Sequence, residues 1–563
     1  MSNTARALSR LWRLFGTYGP ASAAKKLELL AVLERGRLPT ARAVRKLHEV
    51  LCFLRAYPDD RALLAQVERM LRAFERRADL RRHHAALRDS GIAGTAIHFP
   101  FFARAARRLA ENWPEQLSID WDSFDNASRL QRLLPLLTLP AERAAFEEPL
   151  LEPEPWLRRF KGGRGRDTDA AFILTNWHAL AAAEPVRSAF YDDLDPALCL
   201  APGPDTPART REKYDGLPVV YQTEPLSRAR PDLRSELARP PRSTRSVSAR
   251  EGQALIDLAR NTMLPRERDL EVFAYGNARD VQLIDAGDGL WFACIGVLPE
   301  RRSLLEAVYG FLMLKNGVAV GYALCSALFG SSEVAYNVFE TFRGGETARI
   351  FGRLLATIHR LFGSNAFSID PYQLGHGNEE GLRSGAFWFY QKLGFRPRKR
   401  EVVRVMNREL SRMQARPAHR SSRATLSVLA SAYVFWAPGT KRPDVLGALS
   451  LPNVALHVSR YLARRFGADR QRARETCMEE AAAHLDLGTS TLRTAAEREA
   501  WARWAPLVMI LPRVQAWSAK EKRALIEVIR AKAATHESDF VPLFDGHRRL
   551  RDAVQTLAQD KLN

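Results

Sequence analysis

The residues best suited to bind or transform a ligand are concentrated between positions 333 and 397. Alternating apolar residues from Glu333 to Phe339 predict a strand, and apolar residues at helical spacing from Ile350 to Ile358 predict a helix. Between them lies a short glycine-containing loop, Arg343-Gly344-Gly345-Glu346-Thr347-Ala348. A helix that starts directly after a tight turn leaves its first backbone N–H groups without intrahelical partners, and such a helix end can bind phosphate. The loop is therefore a candidate anion-binding site.

Four side chains near this loop carry groups that can transfer a proton. Glu333, Glu340 and His376 are candidates for a general base. Tyr390 carries a phenolic hydroxyl that can donate a proton or a hydrogen bond. Each also has a purely structural interpretation. Glu333 can be a solvated strand end and Glu340 a turn cap. His376 can form a hydrogen bond within its Gly-His-Gly loop, and Tyr390 can belong to a buried aromatic helix face. Sequence spacing alone does not choose among the three bases.

The elements around these residues predict a mostly antiparallel sheet. The dipeptide Asn316-Gly317 between two apolar runs favours a two-residue hairpin turn, because both turn positions require positive φ. A helix is expected from Glu379 to Leu393, where Gly394 provides a C-terminal stop. The predicted strands are, in chain order, Asp269–Tyr275, Val281–Ile284, Leu290–Gly296, Ala307–Lys315, Val318–Leu328, Glu333–Phe339, Ala366–Asp370 and Val402–Met406.

Composition divides the chain into four predicted parts. The segment from Met1 to Gly16 predicts an amphipathic helix and no signal peptide, because three arginines interrupt its apolar residues. The loop from Phe160 to Arg166 is basic but lacks the Gly-Lys-Ser/Thr ending of a phosphate-binding loop. The parts are a mainly helical region over 1–222, a linker rich in proline and arginine over 223–250, the sheet-containing domain over 251–407, and a helical region over 408–563.

Overall composition is that of an ordinary globular protein of 563 residues, with 46% apolar and 26% charged residues. Five cysteines without a C-x-x-C pair argue against a disulfide framework or a zinc knuckle, so we expect no metal and a cytoplasmic location. No apolar stretch reaches the roughly 20 residues that span a bilayer. The net charge of +21 is compatible with a nucleic-acid partner, or with arginines on solvated helix faces.

Two motifs resemble those of the GNAT acetyltransferase superfamily. The loop at Arg343–Ala348 is similar to that family's R/Q-x-x-G-x-G/A loop, which holds the pyrophosphate of acetyl-CoA. A second motif, A-x-x-x-Y-x-K-L-G-F, matches the stretch from Ala386 to Phe395. The resemblance covers about 250–407 and implies an α+β or α/β fold, with a mixed, mostly antiparallel splayed sheet and flanking helical regions.

The resemblance implies direct attack of an amine on the thioester of acetyl-CoA in a ternary complex, without a covalent enzyme intermediate or a metal. By motif position, Tyr390 is the expected proton donor to the departing thiolate. Glu333 ranks first as the base, ahead of Glu340 and His376. The implied cofactor-binding residues are Asn337, Val338, Phe339, Arg343, Gly344, Gly345, Glu346, Thr347, Ala348 and Arg383.

Three positions depart from the family pattern. Glu346 replaces a glycine of the loop, and a carboxylate about 5 Å from a phosphate charge would cost about 3 kcal/mol at an effective dielectric near 20. Arg343, Arg349 or Arg353 can offset this charge, or Glu346 faces away and favours the positive helix end. The other two departures are Glu340 at a usual proline and Arg383 at a usual asparagine.

The sequence therefore favours an acyl-CoA-dependent N-acyltransferase, acting on an amine of a small molecule or a protein. The helical flanks are expected to shape the acceptor site or to recruit a protein partner. An alternative from another class is a catalytically inactive GNAT-fold scaffold that senses CoA or associates with nucleic acid. A transferase that uses aminoacyl-tRNA is a minor option, because such proteins usually carry two tandem copies of the fold and only one is found here.

Overall fold

The computed structural model describes residues 2–146, 152–160, 168–439, 441–488 and 492–560. The basic loop predicted at 160–166 lies, from Lys161 onward, outside the described residues. None of the helices in the described part of the chain combines the length and the hydropathy that crossing a bilayer requires.

Helices occupy most of the first half of the chain. The predicted N-terminal amphipathic helix is confirmed as α1. In chain order the first thirteen helices are α1 Asn3–Leu14, α2 Pro20–Arg35, α3 Ala41–Ala56, α4 Arg61–Arg72, α5 Ala78–Arg82, α6 Ala103–Asn112, α7 Ala127–Leu137, α8 Pro153–Phe160, α9 Asp169–Ala179, α10 Glu184–Leu194, α11 Leu233–Leu237, α12 Ala249–Met263 and α13 Glu271–Ala274.

Helices return after the central sheet strands. They are α14 Thr347–Phe362, α15 Pro371–Leu374, α16 Glu379–Ser384, α17 Ala386–Lys392, α18 Arg400–Ala415, α19 Arg423–Leu429, α20 Leu451–Phe466, α21 Arg470–His484, α22 Ala495–Val508, α23 Ala519–Ala531, α24 Phe540–Gly546 and α25 Arg548–Gln559.

The strands form two sheets. The smaller sheet has the order β1-β3-β2, with β1 Ile97–Phe99, β2 Leu117–Ile119 and β3 Leu198–Leu200. The larger has the order β11-β12-β10-β9-β8-β7-β6-β5-β4. Its strands are β4 Ser243–Ser246, β5 Gly276–Gly287, β6 Leu290–Val297, β7 Ala307–Lys315, β8 Val318–Leu328, β9 Ser331–Val338, β10 Ala366–Ile369, β11 Arg396–Pro397 and β12 Val434–Trp436.

The chain divides into two compact units, which interleave along the sequence. The four parts predicted from composition stay a prediction. Unit 1 comprises Met1–Leu226, Ala254–Ala274 and Lys315–Ala319, and unit 2 comprises Ser227–Gln253, Tyr275–Leu314 and Val320–Asn563.

Unit 1 contains two apolar cores. One is built from α1 to α5, where leucines at helical spacing, such as Leu29, Leu30 and Leu33, are buried together. The other is built around the small sheet and α6 to α10, with Trp156 and Trp177 among its buried residues. Helix starts in the first core are fixed locally, because side-chain oxygens at their N-caps accept backbone N–H groups.

Unit 2 is organised around the larger sheet, in which most of the described pairings are antiparallel and β9 pairs with β10 in parallel. The turn at Asn316 and Gly317 has φ values of 51° and 80°, as its hairpin sequence predicts. A mixed α+β fold with a large, mostly antiparallel sheet is therefore confirmed. The finer GNAT arrangement stays a prediction.

Two predicted strands are wrong. Val402–Met406 lies within helix α18, because Val402 and Met406 are spaced by four residues and are both buried on one helix face. Within Asp269–Tyr275 the residues Glu271–Ala274 form the short helix α13. The helix expected over 379–393 is divided into α16 and α17 at Gly385, whose φ of 66° lies in the left-handed region.

Candidate active site at the opening between β9 and β10

The parallel pairing of β9 with β10 stops before β9 ends. Ser331, Ser332 and Glu333 pair with residues of β10, while β9 itself continues to Val338. On its other edge, β9 pairs with β8 along its full length, from Ser331 to Val338. The ladder between β9 and β10 therefore opens after Glu333, on the loop side of the sheet.

Glu333 lies at the start of this opening and is half-buried. Burial is the main cause that raises the pKa of Glu333 to about 7, and the nearby carboxylate of Asp370 adds to the effect. An interaction with the hydroxyl of Tyr433 acts in the opposite direction. Glu333 therefore changes its protonation state near neutral pH, as a general base requires.

Asp370 and Tyr433 are placed by the sheet register. Ile369 pairs with Val434 in the antiparallel ladder of β10 and β12, so the two flanking residues, Asp370 and Tyr433, face each other. Burial is the largest cause that raises the pKa of the Tyr433 hydroxyl, and the hydrogen bonds and charges of Asp370 and Glu333 raise it further. Asp370 is held by the backbone N–H of Tyr372, which donates to its Oδ1 at 2.7 Å.

Gly447 makes room for the Tyr433 ring. A Cβ atom at this glycine would lie 2.4 Å from a ring carbon of Tyr433, which is closer than real contacts allow. Its φ of 81° also favours glycine. The close approach restrains the Tyr433 ring beside Glu333 and Asp370. We call these two carboxyl residues, Glu333 and Asp370, the acid pair.

Two polar side chains close to the acid pair have unused hydrogen-bonding capacity. Ser368 is 1% exposed and is the register partner of Glu333. Its Oγ and the Oδ1 of Asn337 are buried without a hydrogen-bond partner among the residues that the structure describes. Glu333 and Asn337 share a face of β9, because residues four apart on a strand point to the same side. That face therefore carries buried polar atoms beside the acid pair.

Tyr390 lies on the opposite face of β9. Tyr336 projects to that face and packs against Phe351 of α14 at a ring distance of 5.0 Å, and Phe351 packs against Tyr390 at 5.5 Å. Tyr390 is 3% exposed, and burial raises its pKa. The raised pKa keeps the phenol protonated, which is the state of a proton donor.

The glycine-containing loop leads from β9 into α14. Backbone hydrogen bonds from Phe342 to Phe339 and from Gly345 to Phe342, of 2.8 and 3.0 Å, make its turn tight. The Nε of Arg343 donates to the carbonyl oxygen of Val338 at 2.9 Å, and its guanidinium also pairs with Glu380. Gly344 is exposed, and a Cβ atom there would meet nothing within 4 Å. The loop therefore presents open space in front of the start of α14.

Glu346 is buried and ion-paired. Its carboxylate pairs with the guanidinium of Arg349, which also pairs with Asp288. Although burial lowers the pKa of Arg349, these two carboxylates raise it overall. Arg353 binds elsewhere, to Glu236 and to backbone carbonyls. Of the three arginines considered from the sequence, Arg349 is the one that pairs with Glu346.

The remaining predicted side chains lie at the surface. Glu340 and His376 are exposed, and their described backbone contacts are local, to Arg343 and Pro371. Arg383 is exposed and forms a surface ion pair with Glu379 at 3.4 Å. These three side chains are exposed, whereas Glu333 is half-buried. Within the described ranges no group of three or more His, Cys, Asp or Glu side chains is placed to hold a metal ion.

Sequence reasoning missed two residues of this site. Asp370 ends the predicted strand beside β9, and the carboxyl ends of parallel neighbours meet at one sheet edge, so it could have been found. Tyr433 lies beyond the predicted 251–407 domain and reaches the site through β12. The sequence gives no local signal that β12 pairs with β10.

Comparisons with known proteins add no relative. No family model, curated protein sequence or solved structure shows significant similarity to the chain. The resemblance to GNAT acetyltransferases thus rests on the two sequence motifs and stays a prediction.

Proposed function

We propose that unit 2 carries an acyl-CoA-dependent N-acyltransferase site, with acetyl-CoA as the acyl donor and an amine as the acceptor. The observation that carries the proposal is Glu333, a carboxyl group with a pKa of about 7, at the point where the β9 and β10 ladder opens. A base near neutral pH beside an open strand edge suits the deprotonation of a bound ammonium group.

In this proposal, Glu333 accepts a proton from the ammonium group of the acceptor. The neutral amine nitrogen attacks the thioester carbonyl carbon, a C–N bond forms, and the C–S bond breaks. Tyr390 is the proposed donor to the departing thiolate: the thiolate takes the phenolic proton, and the extra proton on the new amide nitrogen passes to the phenolate that remains, which restores the phenol. Burial is the main cause of the raised pKa of Glu333; Asp370 raises this pKa further, and the hydroxyl of Tyr433 lowers it.

Donor binding is assigned to the loop and to the start of α14. The first N–H groups of α14 have no intrahelical partner, and the positive end of the helix dipole favours a pyrophosphate group there. The ion pair with Arg349 neutralises Glu346, so the expected repulsion of about 3 kcal/mol is largely removed. Arg343, whose guanidinium is shared with Glu380, lies beside Val338 at the end of β9.

A CoA-binding scaffold without turnover is the second candidate. The deep burial of Tyr390 among Phe351, Phe389 and Phe395 favours it, because a ring in this position can be a simple core residue. Both candidates share the donor site and differ in the use of Glu333 and Tyr390.

Two measurements on the full chain test the proposal. Calorimetry measures acetyl-CoA binding at physiological salt, and release of free CoA thiol measures turnover with a panel of small amines and lysine-containing peptides. We expect binding, and thiol release that depends on an amine. Binding with no thiol release for any amine identifies the scaffold, and no binding at all overturns both candidates.

A further inference from the structure

Helix α18 of unit 2 exposes a row of arginines. Arginine recurs at every fourth position over 396–420. Four of these arginines lie on α18 and are exposed, and we call them the arginine stripe: Arg400, Arg404, Arg408 and Arg412. At about 100° per residue, four positions with this spacing stay within a sector of about 120°. The buried residues of the helix, Val402, Met406 and Glu409, lie on the opposite side, so the stripe faces solvent.

The segment around the arginine stripe holds a large share of the net charge. Over 392–423 the chain has eleven Lys and Arg residues against two acids, Glu401 and Glu409, which gives a net charge of +9. The whole chain of 563 residues has a net charge of +21. A short segment therefore carries 9 of the 21 excess positive charges, and the excess is not spread evenly over the surface.

Carboxylates compensate little of this charge. Of the two acids on α18, Glu401 lies 3.3 Å from Lys399, and the buried Glu409 pairs with Arg412 at 2.9 Å. The other three arginines of the stripe form no ion pair with a carboxylate in the described part of the chain. The elements that pack on α18, β11 and α19, contain no acidic residue. The stripe therefore presents three uncompensated guanidinium groups to solvent.

A solvated helix face does not require charges of one sign. Arginines four residues apart repel each other along a helix, so the stripe destabilises α18. Arg400 also lies at the N-terminus of α18, where the helix dipole disfavours a cation. Helix α21, by contrast, exposes both Arg474 and Glu475, and its Arg474 pairs with Glu499 at 2.6 Å. The arrangement on α18 therefore suits an external anion with several charges.

The other exposed residues of α18 distinguish between kinds of polyanion. Asn407, Ser411 and Gln414 lie between the arginines, and side chains of these types donate hydrogen bonds to phosphate oxygens. Helix α18, all of whose residues are described, exposes no large apolar side chain of the kind that a membrane-bound helix inserts. It also exposes no aromatic ring on which an unpaired base could stack. These properties favour the backbone of a double-stranded nucleic acid.

We propose that the arginine stripe of α18 binds the phosphate backbone of a double-stranded nucleic acid without reading its sequence. From Arg400 to Arg412 the stripe extends about 18 Å along the helix axis. Over this length a duplex presents about ten phosphate charges, and the planar guanidinium group can bind phosphate oxygens through two hydrogen bonds. This inference concerns binding alone and does not depend on acyl transfer.

Fluorescence anisotropy of a labelled DNA duplex of mixed sequence measures binding to the full chain in the absence of acetyl-CoA. We expect a dissociation constant on the order of 1 to 10 µM at about 50 mM KCl, and a linear fall of log affinity with log salt up to about 200 mM. The triple variant Arg400→Gln, Arg404→Gln and Arg408→Gln should bind at least about tenfold more weakly. Its salt slope should be lower by about 2.7, which is about 0.9 for each lost phosphate contact.

Two matched variants separate the arginine stripe from the overall charge. The first removes the same charge from exposed arginines of α20 and α21 and should bind the duplex like the unmodified chain; its changes are Arg460→Gln, Arg464→Gln and Arg472→Gln. The second replaces the three stripe arginines by lysine, which keeps their charge, and should bind within about threefold of the unmodified chain. Equal weakening in the first variant, or loss of binding in the second, overturns the proposal.

Three further results would also overturn it. The first is an unchanged anisotropy up to about 100 µM protein at about 50 mM KCl. The second is tighter binding of a single strand of the same length than of the duplex. The third is cosedimentation of the chain with phosphatidylserine vesicles while the duplex does not bind, which would assign the arginine stripe to a membrane surface.

Discussion

Two groups of acidic side chains in unit 2 differ in how their charges are compensated. Asp280 is 0% exposed, accepts the hydroxyl of Tyr309 and the backbone N–H of Glu537, both at 3.0 Å, and lies 3.1 Å from Nδ1 of His536. Basic side chains complete this group, which we call the buried network; its members are Asp280, Arg302, Lys532 and Glu537.

The acid pair lacks such compensation. Between Glu333 and Asp370 the structure places the neutral hydroxyl of Tyr433, and burial raises the pKa of Glu333 to about 7. Fully partnered carboxylates stabilise a fold, whereas an under-compensated carboxyl group holds a proton that it can exchange near neutral pH. The comparison favours a structural role for the buried network and supports the proposal that the acid pair transfers protons.

The largest expected effect on stability comes from the buried network. Asp280→Ala leaves Arg302 and the Tyr309 hydroxyl without their carboxylate, so we expect the free energy of unfolding in urea to fall by about 3 to 5 kcal/mol. The exposed Asp552→Asn is the matched control and should change it by less than about 0.5 kcal/mol. A loss for Asp280→Ala as small as that of the control would remove the distinction between the two groups.

Glu333→Gln should have the opposite profile, with a large effect on turnover and, at pH 5, a small one on stability. Loss of the base is expected to lower kcat by roughly 10²- to 10⁴-fold with little change in acetyl-CoA affinity, measured by thiol release and calorimetry. The exposed Glu340→Gln is the control and should retain turnover. If both variants lose equal activity, the base is not Glu333.

The pH dependence of stability should also separate the two groups. Burial raises the folded-state pKa of Glu333 from its ordinary value of 4.5 to about 7, so the folded state binds the proton more tightly and stability falls as pH rises between these values. The loss reaches at most about 3 kcal/mol. Urea unfolding at pH 5 and pH 8 should therefore show Glu333→Gln gaining stability relative to the unmodified chain at the higher pH. If the difference in unfolding free energy between Glu333→Gln and the unmodified chain is the same at pH 5 and pH 8, Glu333 has an ordinary pKa.

Tyr433→Phe sharpens the comparison within the acid pair. The hydroxyl of Tyr433 lowers the pKa of Glu333, so its removal should move the pH–rate midpoint upward, by up to about one unit. The exposed Tyr372→Phe serves as the control. A midpoint that stays in place or moves downward would place Tyr433 outside the proton-transfer group.

Glu346→Gly should have the smallest effect. Glu346 belongs with the compensated carboxylates because Arg349 pairs with it, so its removal should change acetyl-CoA affinity by less than about threefold in calorimetry. Arg349→Gln should weaken binding more, because it removes the cation that pairs with the buried Glu346 near the loop. If Glu346→Gly instead binds acetyl-CoA about a hundredfold more tightly, Glu346 repels the bound pyrophosphate as the sequence predicted.

Local signals carried most of the successful sequence predictions. The strands Ala307–Lys315 and Val318–Leu328 have the predicted bounds, because the Asn316-Gly317 turn fixes their pairing within a few residues. Helix α14 also follows from its apolar periodicity. These predictions needed no knowledge of distant segments.

The failures involve segments whose structure depends on distant partners. Val402–Met406 was too short for its pattern to separate a strand from a helix, and β12 occupies the position beside β10 instead. Of the candidate bases, the sequence ranked Glu333 first, but the half-burial that raises its pKa results from the packing of unit 2. Asp370 and Tyr433 become neighbours only through the register of β10 with β12.

The position of β12 has a consequence for synthesis of the chain. Glu333, the loop and Tyr390 are translated before Tyr433, which follows Glu333 by 100 positions. A nascent polypeptide that has emerged only as far as Met406 holds both motifs but not the phenol that tunes the base. Because domains fold in the order in which they leave the ribosome, the carboxyl group of Glu333 reaches its final pKa only when the C-terminal third is being made.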